Sequence, residues 1–412
     1  MSVDRLLYRL MTGSWGRFAF HPGHDFLKSE SVPDPVGVYV HIPFCRSICP
    51  FCPYNKVLYE PETAKRYLNC LDSEAKRVIS DLDGARISSI YFGGGTPLTL
   101  PEAIGSILRL VRQHLVPGAA VAAEVHPGDV TPSTSGFLQE NGVNMVSVGV
   151  ESLDDEVLRN LGRSHDSATA LSALETLMDA GCFSVNVDLM TMIPGQSMES
   201  ALSDILRFFE YGVDQVSAYP LMDFPFTHMR SPLSQREQRR LLTALASAGS
   251  QAGYERSSVW TWTKPGAPKY TSITRENYVG IGAGAASHLS RSFWLNTFSV
   301  DAYIDAIAAG RSPVALSASL SPLESALYWL FWRCYEGSFE LLTPEAPSIP
   351  ALPRLVNVAE RLGLARRISS TVHLTDKGLF FYHILERYYT RRYIGRLWQS
   401  CRASAFPAAL DL

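Results

Sequence analysis

The stretch GVYVHIPFCRSICPFCPY, residues 37–54, places three cysteines directly after an apolar run. Cys45, Cys49 and Cys52 follow the spacing Cys-x3-Cys-x2-Cys. The run before them is rich in β-branched residues, as is typical of a buried strand. Three clustered thiolates bind three corners of a cubic iron–sulfur cluster and leave the fourth iron open to another ligand. The spacing therefore predicts a [4Fe-4S] cluster at these cysteines.

Zinc and a disulfide are the alternatives for the same three residues. Zinc would need a fourth ligand, and His41 is close enough in sequence to supply it. Structural zinc sites usually pair two short Cys/His motifs, and the sequence offers no second one. A disulfide framework is disfavoured because the 7 cysteines are odd in number and sparse in a chain of 412 residues.

The composition is that of a globular protein with a large core. Hydrophobic residues make up 46% of the chain and charged residues 19%. The net charge of −3 argues against nucleic acid as a partner. No apolar run approaches the ~20 residues that span a bilayer, and the first 20 residues lack the apolar core of a signal peptide. We expect a cytoplasmic protein without a membrane span.

Short β-rich runs alternate with amphipathic helical patterns from residue 36 to residue 219. Gly181 and Gly212 follow helical patterns where a helix should end, and Pro101 begins one. Repeated strand–helix alternation predicts an α/β fold with a parallel sheet, here a partial (β/α)6 TIM-like barrel whose chemistry lies at the carboxyl ends of its strands. The predicted strands are residues 36–42, 87–92, 120–126, 144–150, 184–190 and 214–219.

Beyond the alternating region, the pattern changes twice. Residues 261–289 are rich in glycine, threonine and aromatics, and residues 353–389 have the order helix, two short strands, helix. That order resembles a winged-helix-like α+β module, which we predict as a smaller C-terminal domain. The predicted boundaries are an N-terminal extension 1–35, the barrel 36–225, an extension closing the active site 226–315, and the C-terminal domain 316–412.

The sequence GGGTP follows the second predicted strand. Gly93, Gly94, Gly95 and Thr96 let the backbone approach a charged ligand without an intervening side chain. A tight strand-to-helix turn would also use glycine, so this motif alone leaves both interpretations open.

Seven motifs in order carry a resemblance to a known family. YVHIPFC, YFGGGTP, AEVHPGDVT, SVGVESLDDEVLRNLGRSH, VNVDLMTMIPGQ, VSAYPL and ENYVGIGAGAASHL together resemble the radical S-adenosylmethionine (radical SAM) superfamily. Within it they resemble the subgroup of oxygen-independent coproporphyrinogen III oxidases, haem chaperones and class C radical SAM methyltransferases. The resemblance covers about residues 36 to 290 and implies a [4Fe-4S] cluster, one or two S-adenosylmethionine molecules, a small-molecule substrate, and an electron donor such as flavodoxin or ferredoxin.

The resemblance also assigns roles to individual residues. It implies that Glu124, Arg163 and Asp188 contact the cofactor, together with the glycine loop 93–96. Tyr39 and Phe51 would flank the cofactor, and Gly282 would close the far side of the site. Each has a plainer alternative in packing, surface exposure or turn geometry. The candidate catalytic residues are Tyr39 and Glu151.

Two departures from the oxidase pattern bear on the reaction. Tyr54 stands where the oxidases have a further cysteine, and Glu151 stands where they have glutamine. An aromatic at position 54 is more similar to the chaperone and methyltransferase branches. Our leading hypothesis is therefore methyl or methylene transfer from a second S-adenosylmethionine to an unsaturated carbon, as C-methylation or cyclopropanation. The alternatives are porphyrin chemistry, by oxidative decarboxylation or anaerobic haem degradation, and a haem chaperone.

Overall fold

Seven neighbouring parallel strands form the centre of one long sheet. The computed structural model describes residues 18–24, 27, 31–227, 229–269 and 276–412. Numbered along the chain, the seven strands lie in the order β9-β8-β7-β6-β5-β2-β12 across the sheet. The first six in chain order are those predicted from the alternating pattern, and β12 adds to the edge beside β2. They are β2 (Val36–Ile42), β5 (Ile87–Gly94), β6 (Leu115–Val125), β7 (Met145–Glu151), β8 (Ser184–Thr191), β9 (Gln215–Pro220) and β12 (Tyr278–Ile281).

Antiparallel strands extend the sheet at both edges. Beyond β12 the order continues β13-β14-β15-β1-β19, and beyond β9 it continues β11-β10, so the described sheet has 14 strands and stays open as a partial barrel. Strands from both ends of the described chain thus pair in one sheet, across the predicted boundaries. These strands are β1 (Ala19–Pro22), β10 (Glu255–Arg256), β11 (Thr261–Thr263), β13 (Ala286–Leu289), β14 (Ser292–Asn296), β15 (Val314–Ser319) and β19 (Leu410–Asp411).

Helices connect the parallel strands and bury their apolar faces against the sheet. Pro101 occupies the first turn of the second helix, and Gly212 ends the sixth with a left-handed φ of 72°. Both follow the sequence expectation, since proline fits a first turn and glycine a left-handed cap. The helices are α1 (Pro61–Asp81), α2 (Pro101–Val111), α3 (Pro132–Glu140), α4 (Asp155–Leu161), α5 (Ser167–Asp179), α6 (Met198–Tyr211), α7 (Gln235–Gln251) and α8 (Val300–Ala308).

The C-terminal region packs four helices and a small sheet against the barrel. The order of α10, β17, β18 and α11 is the predicted helix, two strands, helix. Arg387 on α11 donates to Gln238 Oε1 (2.9 Å) and Asp223 Oδ2 (3.1 Å), which joins this region to the barrel. The elements are α9 (Pro322–Tyr335), β16 (Ser338–Glu340), α10 (Leu352–Arg361), β17 (Ala365–Ile368), β18 (Thr371–Leu374), α11 (Asp376–Tyr389), a π-helical turn (Thr390–Ile394) and α12 (Gly395–Ala403).

The α/β fold with a partial barrel is thus confirmed, whereas the domain boundaries stay a prediction. Of the N-terminal extension, residues 1–17, 25–26 and 28–30 lie outside the described residues. No helix among the described residues is long and apolar enough to cross a membrane.

Candidate active site

A cavity of about 800 Å³ opens where the parallel strands end. Its wall takes residues from the carboxyl-terminal part of β5 to β9 and from the loop after β2. On the other side it is lined by α9, α11 and α12. This volume lies in the upper part of the ~300–1,000 Å³ range of ligand sites, and the position is the expected one for a barrel of this type.

The cysteine loop forms one part of this wall. Cys45 ends the two-residue strand β3 (Phe44–Cys45), which pairs with β4 (Val57–Leu58), and Cys49 and Cys52 follow in the loop between them. The Cys52 N–H donates to the Cys49 carbonyl (3.3 Å), and all three cysteines line the cavity. Burial raises the pKa of the Cys45 thiol to about 11 and also raises that of Cys52, so metal binding here must displace protons.

His41 is not available as a metal ligand, because both of its ring nitrogens have protein partners. Nε2 lies 2.9 Å from the Asn55 carbonyl, which can only accept, so Nε2 carries the hydrogen. Nδ1 then accepts from the Tyr39 hydroxyl at 2.9 Å. Among the described residues no three His, Cys, Asp or Glu side chains converge closely enough to hold one metal ion. The zinc alternative therefore loses its proposed fourth ligand.

The glycine loop packs tightly against the cysteine loop. The Gly95 N–H donates to the Ile42 carbonyl and the Thr96 N–H to the Phe44 carbonyl, both at 2.8 Å. A Cβ on Gly95 would lie 2.6 Å from the Phe44 carbonyl oxygen, and Gly94 has a φ of 119°. Glycine is required here by close backbone approach and by a positive φ. The Thr96 hydroxyl also reaches Cys45 Sγ at 3.8 Å.

Glu124 faces the same cavity from β6. Its carboxylate accepts from the Tyr91 hydroxyl (2.7 Å) and from the Gly94 N–H (3.1 Å). Burial raises the pKa of Glu124 to about 7 despite these hydrogen bonds. A carboxylate held in this way can accept a hydrogen bond from a cationic or hydroxyl-bearing ligand.

Arg163 and Glu151 form an ion pair beside the cysteine loop, and part of the hydrogen-bonding capacity of Arg163 is unused. Arg163 Nη1 lies 3.8 Å from Glu151 Oε1 and 3.8 Å from Cys49 Sγ, while Nη2 donates to the Gly149 carbonyl. Arg163 Nε is buried and has no hydrogen-bond partner in the described structure. Burial raises the pKa of Glu151 to about 7, although the Arg163 charge opposes this. The guanidinium thus retains capacity to bind an anionic ligand.

Asp188 lies deeper, on β8. Its carboxylate accepts from the Ser147 hydroxyl (2.6 Å) and the Asn186 amide (2.8 Å). Burial raises the pKa of Asp188 to about 6. The sequence analysis did not identify Ser147 and Asn186. Both lie on strands at positions that alternate with apolar neighbours, and this alternation is the signal that they face the barrel interior.

The structure brings most of the predicted site residues together, but not all. Phe51 lines the cavity, whereas Tyr39, Gly93 and Gly282 do not. Tyr39 is held by His41 behind the wall. The Gly282 N–H donates to Glu74 Oε2 (2.7 Å) in the core, on the side of β12 that faces α1. Packing explains Tyr39 and Gly282 in this structure, and the predicted cofactor contacts of all three residues stay predictions.

An aromatic chamber formed with the C-terminal region was missed from the sequence. Tyr328, Phe331, Trp332 and Tyr335 on α9 face the cavity, at the i, i+3, i+4 and i+7 spacing of one helix face. That spacing was available in the sequence, but it is also the spacing of an ordinary buried helix. The other aromatics of the chamber are Phe18, Phe20, Tyr54, Tyr219, Phe224, Tyr278, Phe293, Tyr389, Tyr393 and Trp398.

The residues present fit a [4Fe-4S] cluster and S-adenosylmethionine. Three free thiols from one loop, all on the cavity wall, suit a cluster with one open iron. The unpartnered Arg163 Nε and the Glu124 carboxylate offer opposite charges within the same cavity. The cofactor's carboxylate and its cationic groups require this combination.

Comparison with known proteins gives a consistent result. Residues 39–208 match the radical SAM superfamily. The chain is 30% identical over 375 residues to the haem chaperone HemW of Lactococcus lactis, covering 84% of this chain and 94% of that protein. It is 27% identical over 307 residues to the oxygen-independent coproporphyrinogen III oxidase of Cereibacter sphaeroides, covering 68% of each. The fold matches the coproporphyrinogen III oxidase HemN of Escherichia coli with a TM-score of 0.76 at 21% identity, over 91% of this chain and 96% of that one.

Proposed function

Because the chain belongs to the radical SAM superfamily, in the group of HemW and HemN, we propose that it is a haem-directed member that holds the porphyrin ring in the aromatic chamber. The cofactors of this superfamily are a [4Fe-4S] cluster and S-adenosylmethionine. When bound, they supply an electron and, by reductive cleavage, a 5′-deoxyadenosyl radical. The chain's own residues bind and orient these groups and exclude water from them.

The contacts already described indicate which residues would bind the two cofactors. Cys45, Cys49 and Cys52 would hold the cluster. Arg163 would bind the cofactor's carboxylate through its unpartnered Nε, and Glu124 would accept from its cationic or hydroxyl groups. The glycine loop keeps this region free of side chains that would occupy the same space.

The observation that carries the haem assignment is the aromatic wall opposite these residues. Tyr54 and Tyr219 line the cavity and are 54% and 38% exposed, and the four aromatics of α9 continue the wall. Flat aromatic rings stack on an extended π-system and gain about 0.5–1.5 kcal/mol per pair beyond burial. A large planar macrocycle is the ligand that such a wall suits best.

The charges of the cavity favour haem over coproporphyrinogen. Four cationic side chains line the described cavity, and three are engaged: Arg46 with Asp129 at 3.1 Å, Lys56 with the Cys52 carbonyl at 2.5 Å, and Arg163 as above. The fourth, Lys269, lies at an edge of the described residues. Coproporphyrinogen III carries four carboxylates around its ring, so binding would bury some of them unpaired. Haem carries two on one edge and can leave both in water.

Methyl transfer from a second S-adenosylmethionine is the second candidate. Tyr54 and Glu151, which depart from the oxidase pattern, are the observations that favour it. The relatives that cover most of this chain are haem chaperones and coproporphyrinogen oxidases, so the comparisons give this hypothesis no support.

Anaerobic titration of the cluster-loaded protein with haemin tests the proposal. We expect stoichiometric binding with a shifted Soret band, and no decarboxylation when coproporphyrinogen III replaces haemin. The same samples are assayed for 5′-deoxyadenosine and S-adenosylhomocysteine in the presence of reductant. Absence of haem binding, with both products formed in about equal amounts, would reject the haem proposal in favour of methyl transfer.

A further inference from the structure

His288 places an unpaired nitrogen at the wall of the aromatic chamber. The ring lies on β13, is 4% exposed, and lines both the large cavity and a neighbouring one of about 280 Å³. Its Nδ1 lies 2.5 Å from the Glu276 carbonyl, which can only accept, so Nδ1 carries the hydrogen. Nε2 therefore presents a lone pair, and it has no hydrogen-bond partner in the described structure.

Aromatic rings pack against His288. The Tyr328 ring stacks on it with centroids 4.5 Å apart, and the Tyr278 ring lies at 6.5 Å. Burial lowers the pKa of His288, which keeps the imidazole neutral. A buried acceptor without a partner costs about 1–3 kcal/mol, so the site is one that a ligand atom would stabilise.

The other histidines on the cavity wall are already satisfied. His126 Nδ1 accepts from the Gly128 N–H (3.1 Å), and His165 Nε2 donates to the Val150 carbonyl (3.1 Å). Their remaining nitrogens face each other at 3.4 Å. His383, whose Nδ1 lies 3.9 Å from Glu386 Oε2, is fully buried and does not line the cavity. Among the described residues of the wall, His288 alone keeps a free ring nitrogen.

We propose that His288 Nε2 is the ligand that this chain provides to the iron of a bound haem. The inference rests on the proposed function, and it goes beyond it by naming the iron ligand. Histidine ligands of metals usually donate their other ring N–H to a carbonyl or carboxylate, which fixes the tautomer and raises the basicity of the ligating nitrogen. The hydrogen bond from Nδ1 to the Glu276 carbonyl is this arrangement, present before any metal is bound.

Two probes separate iron ligation from binding of the ring. The wild-type protein and the His288→Ala variant are titrated with haemin and with metal-free protoporphyrin IX. We expect His288→Ala to weaken haemin binding about tenfold or more, while affinity for protoporphyrin IX changes less than about threefold. The Soret band of the haemin complex should shift, and added imidazole should restore the wild-type spectrum by filling the space of the deleted ring.

Two further variants serve as controls. His288→Gln retains an amide donor for the Glu276 carbonyl, so it preserves the local fold if His288→Ala does not. His21→Ala removes an exposed histidine that does not itself line the cavity and should leave both affinities unchanged. Haemin binding to both His288 variants with wild-type affinity and spectrum would overturn the ligand assignment and leave the haem proposal intact. Failure of the wild-type protein to bind haemin, with or without binding of protoporphyrin IX, would reject the haem proposal itself.

Discussion

Gly282→Ala should destabilise the protein strongly, because Gly282 lies in a tightly packed turn between β12 and β13. Its φ is 104°, outside the regions that alanine adopts readily. A Cβ there would lie 2.5 Å from the His41 carbonyl oxygen and 2.6 Å from the Tyr67 hydroxyl. Neither atom can move freely, since that hydroxyl donates to the same carbonyl at 2.8 Å and accepts from the Ala283 N–H at 2.9 Å.

The magnitude follows from three contributions. A non-glycine residue at this φ costs about 1–3 kcal/mol, and insertion of a methyl group into a packed core costs about 1–3 kcal/mol more. Displacement of the turn would also weaken the hydrogen bond from Gly282 to Glu74, a buried carboxylate that additionally accepts from Tyr303 (2.6 Å). We expect a loss of about 3–5 kcal/mol in the free energy of unfolding.

Urea unfolding followed by tryptophan fluorescence measures this loss. With a slope of about 3 kcal/mol per M, the unfolding midpoint should fall by about 1 M or more. Gly142→Ala is the matched control, because its φ is 83° but a Cβ there would meet nothing within 4 Å. That variant should lose only the backbone strain, about 1–2 kcal/mol. Equal midpoints for the two variants would refute the packing argument, and a selective loss of S-adenosylmethionine affinity in a stable Gly282→Ala protein would favour the cofactor contact instead.

Three further expectations concern the site and its closure. Burial raises the pKa of Glu124 to about 7, so the carboxyl is mostly ionised at pH 8 and mostly protonated at pH 6. The cationic cofactor S-adenosylmethionine should therefore bind the wild-type protein several-fold more tightly at pH 8 than at pH 6. Glu124→Gln should flatten this pH dependence, as isothermal titration would show. Cys45→Ala should abolish the iron content and visible absorbance of the reconstituted protein, whereas Cys70→Ala, whose thiol is buried against α8 and does not line the cavity, should retain both. Arg387→Ala removes two hydrogen bonds to the barrel, so it should lower the free energy of unfolding by about 1–3 kcal/mol and speed proteolysis of the C-terminal region. Arg391→Ala, at an exposed position nearby in sequence, should change neither.

The strands of the barrel could be predicted because each is a short apolar run between helical patterns. The strand predicted at residues 36–42 has these bounds in the structure, and the others differ by at most a few residues at their ends. The largest difference is β6, which begins at Leu115 rather than 120, because its first residues include Pro117 and Gly118, which weaken any strand signal.

The antiparallel edges and the chamber could not be predicted in the same way. Strand β1 pairs with β15 and β19, which are hundreds of residues away, and short segments of this kind carry no periodicity that specifies their partner. Likewise, the aromatic face of α9 indicates burial, but the sequence does not tell whether the helix is buried against protein or against a ligand. Local pattern determines the element, whereas tertiary contacts determine what it faces.

Tyr54 connects the sequence argument with the architecture of the site. The sequence singled it out as a departure from the oxidase pattern, and the structure places its ring in the chamber, 6.0 Å from the ring of Trp398 on α12. Arg402 on the same helix donates to the carbonyls of Pro53 (2.6 Å) and Tyr54 (2.9 Å). The C-terminal helix is thus bonded to the backbone directly after the third cysteine. The same helix therefore contributes a ring to the chamber through Trp398 and binds the loop that carries Cys52 through Arg402.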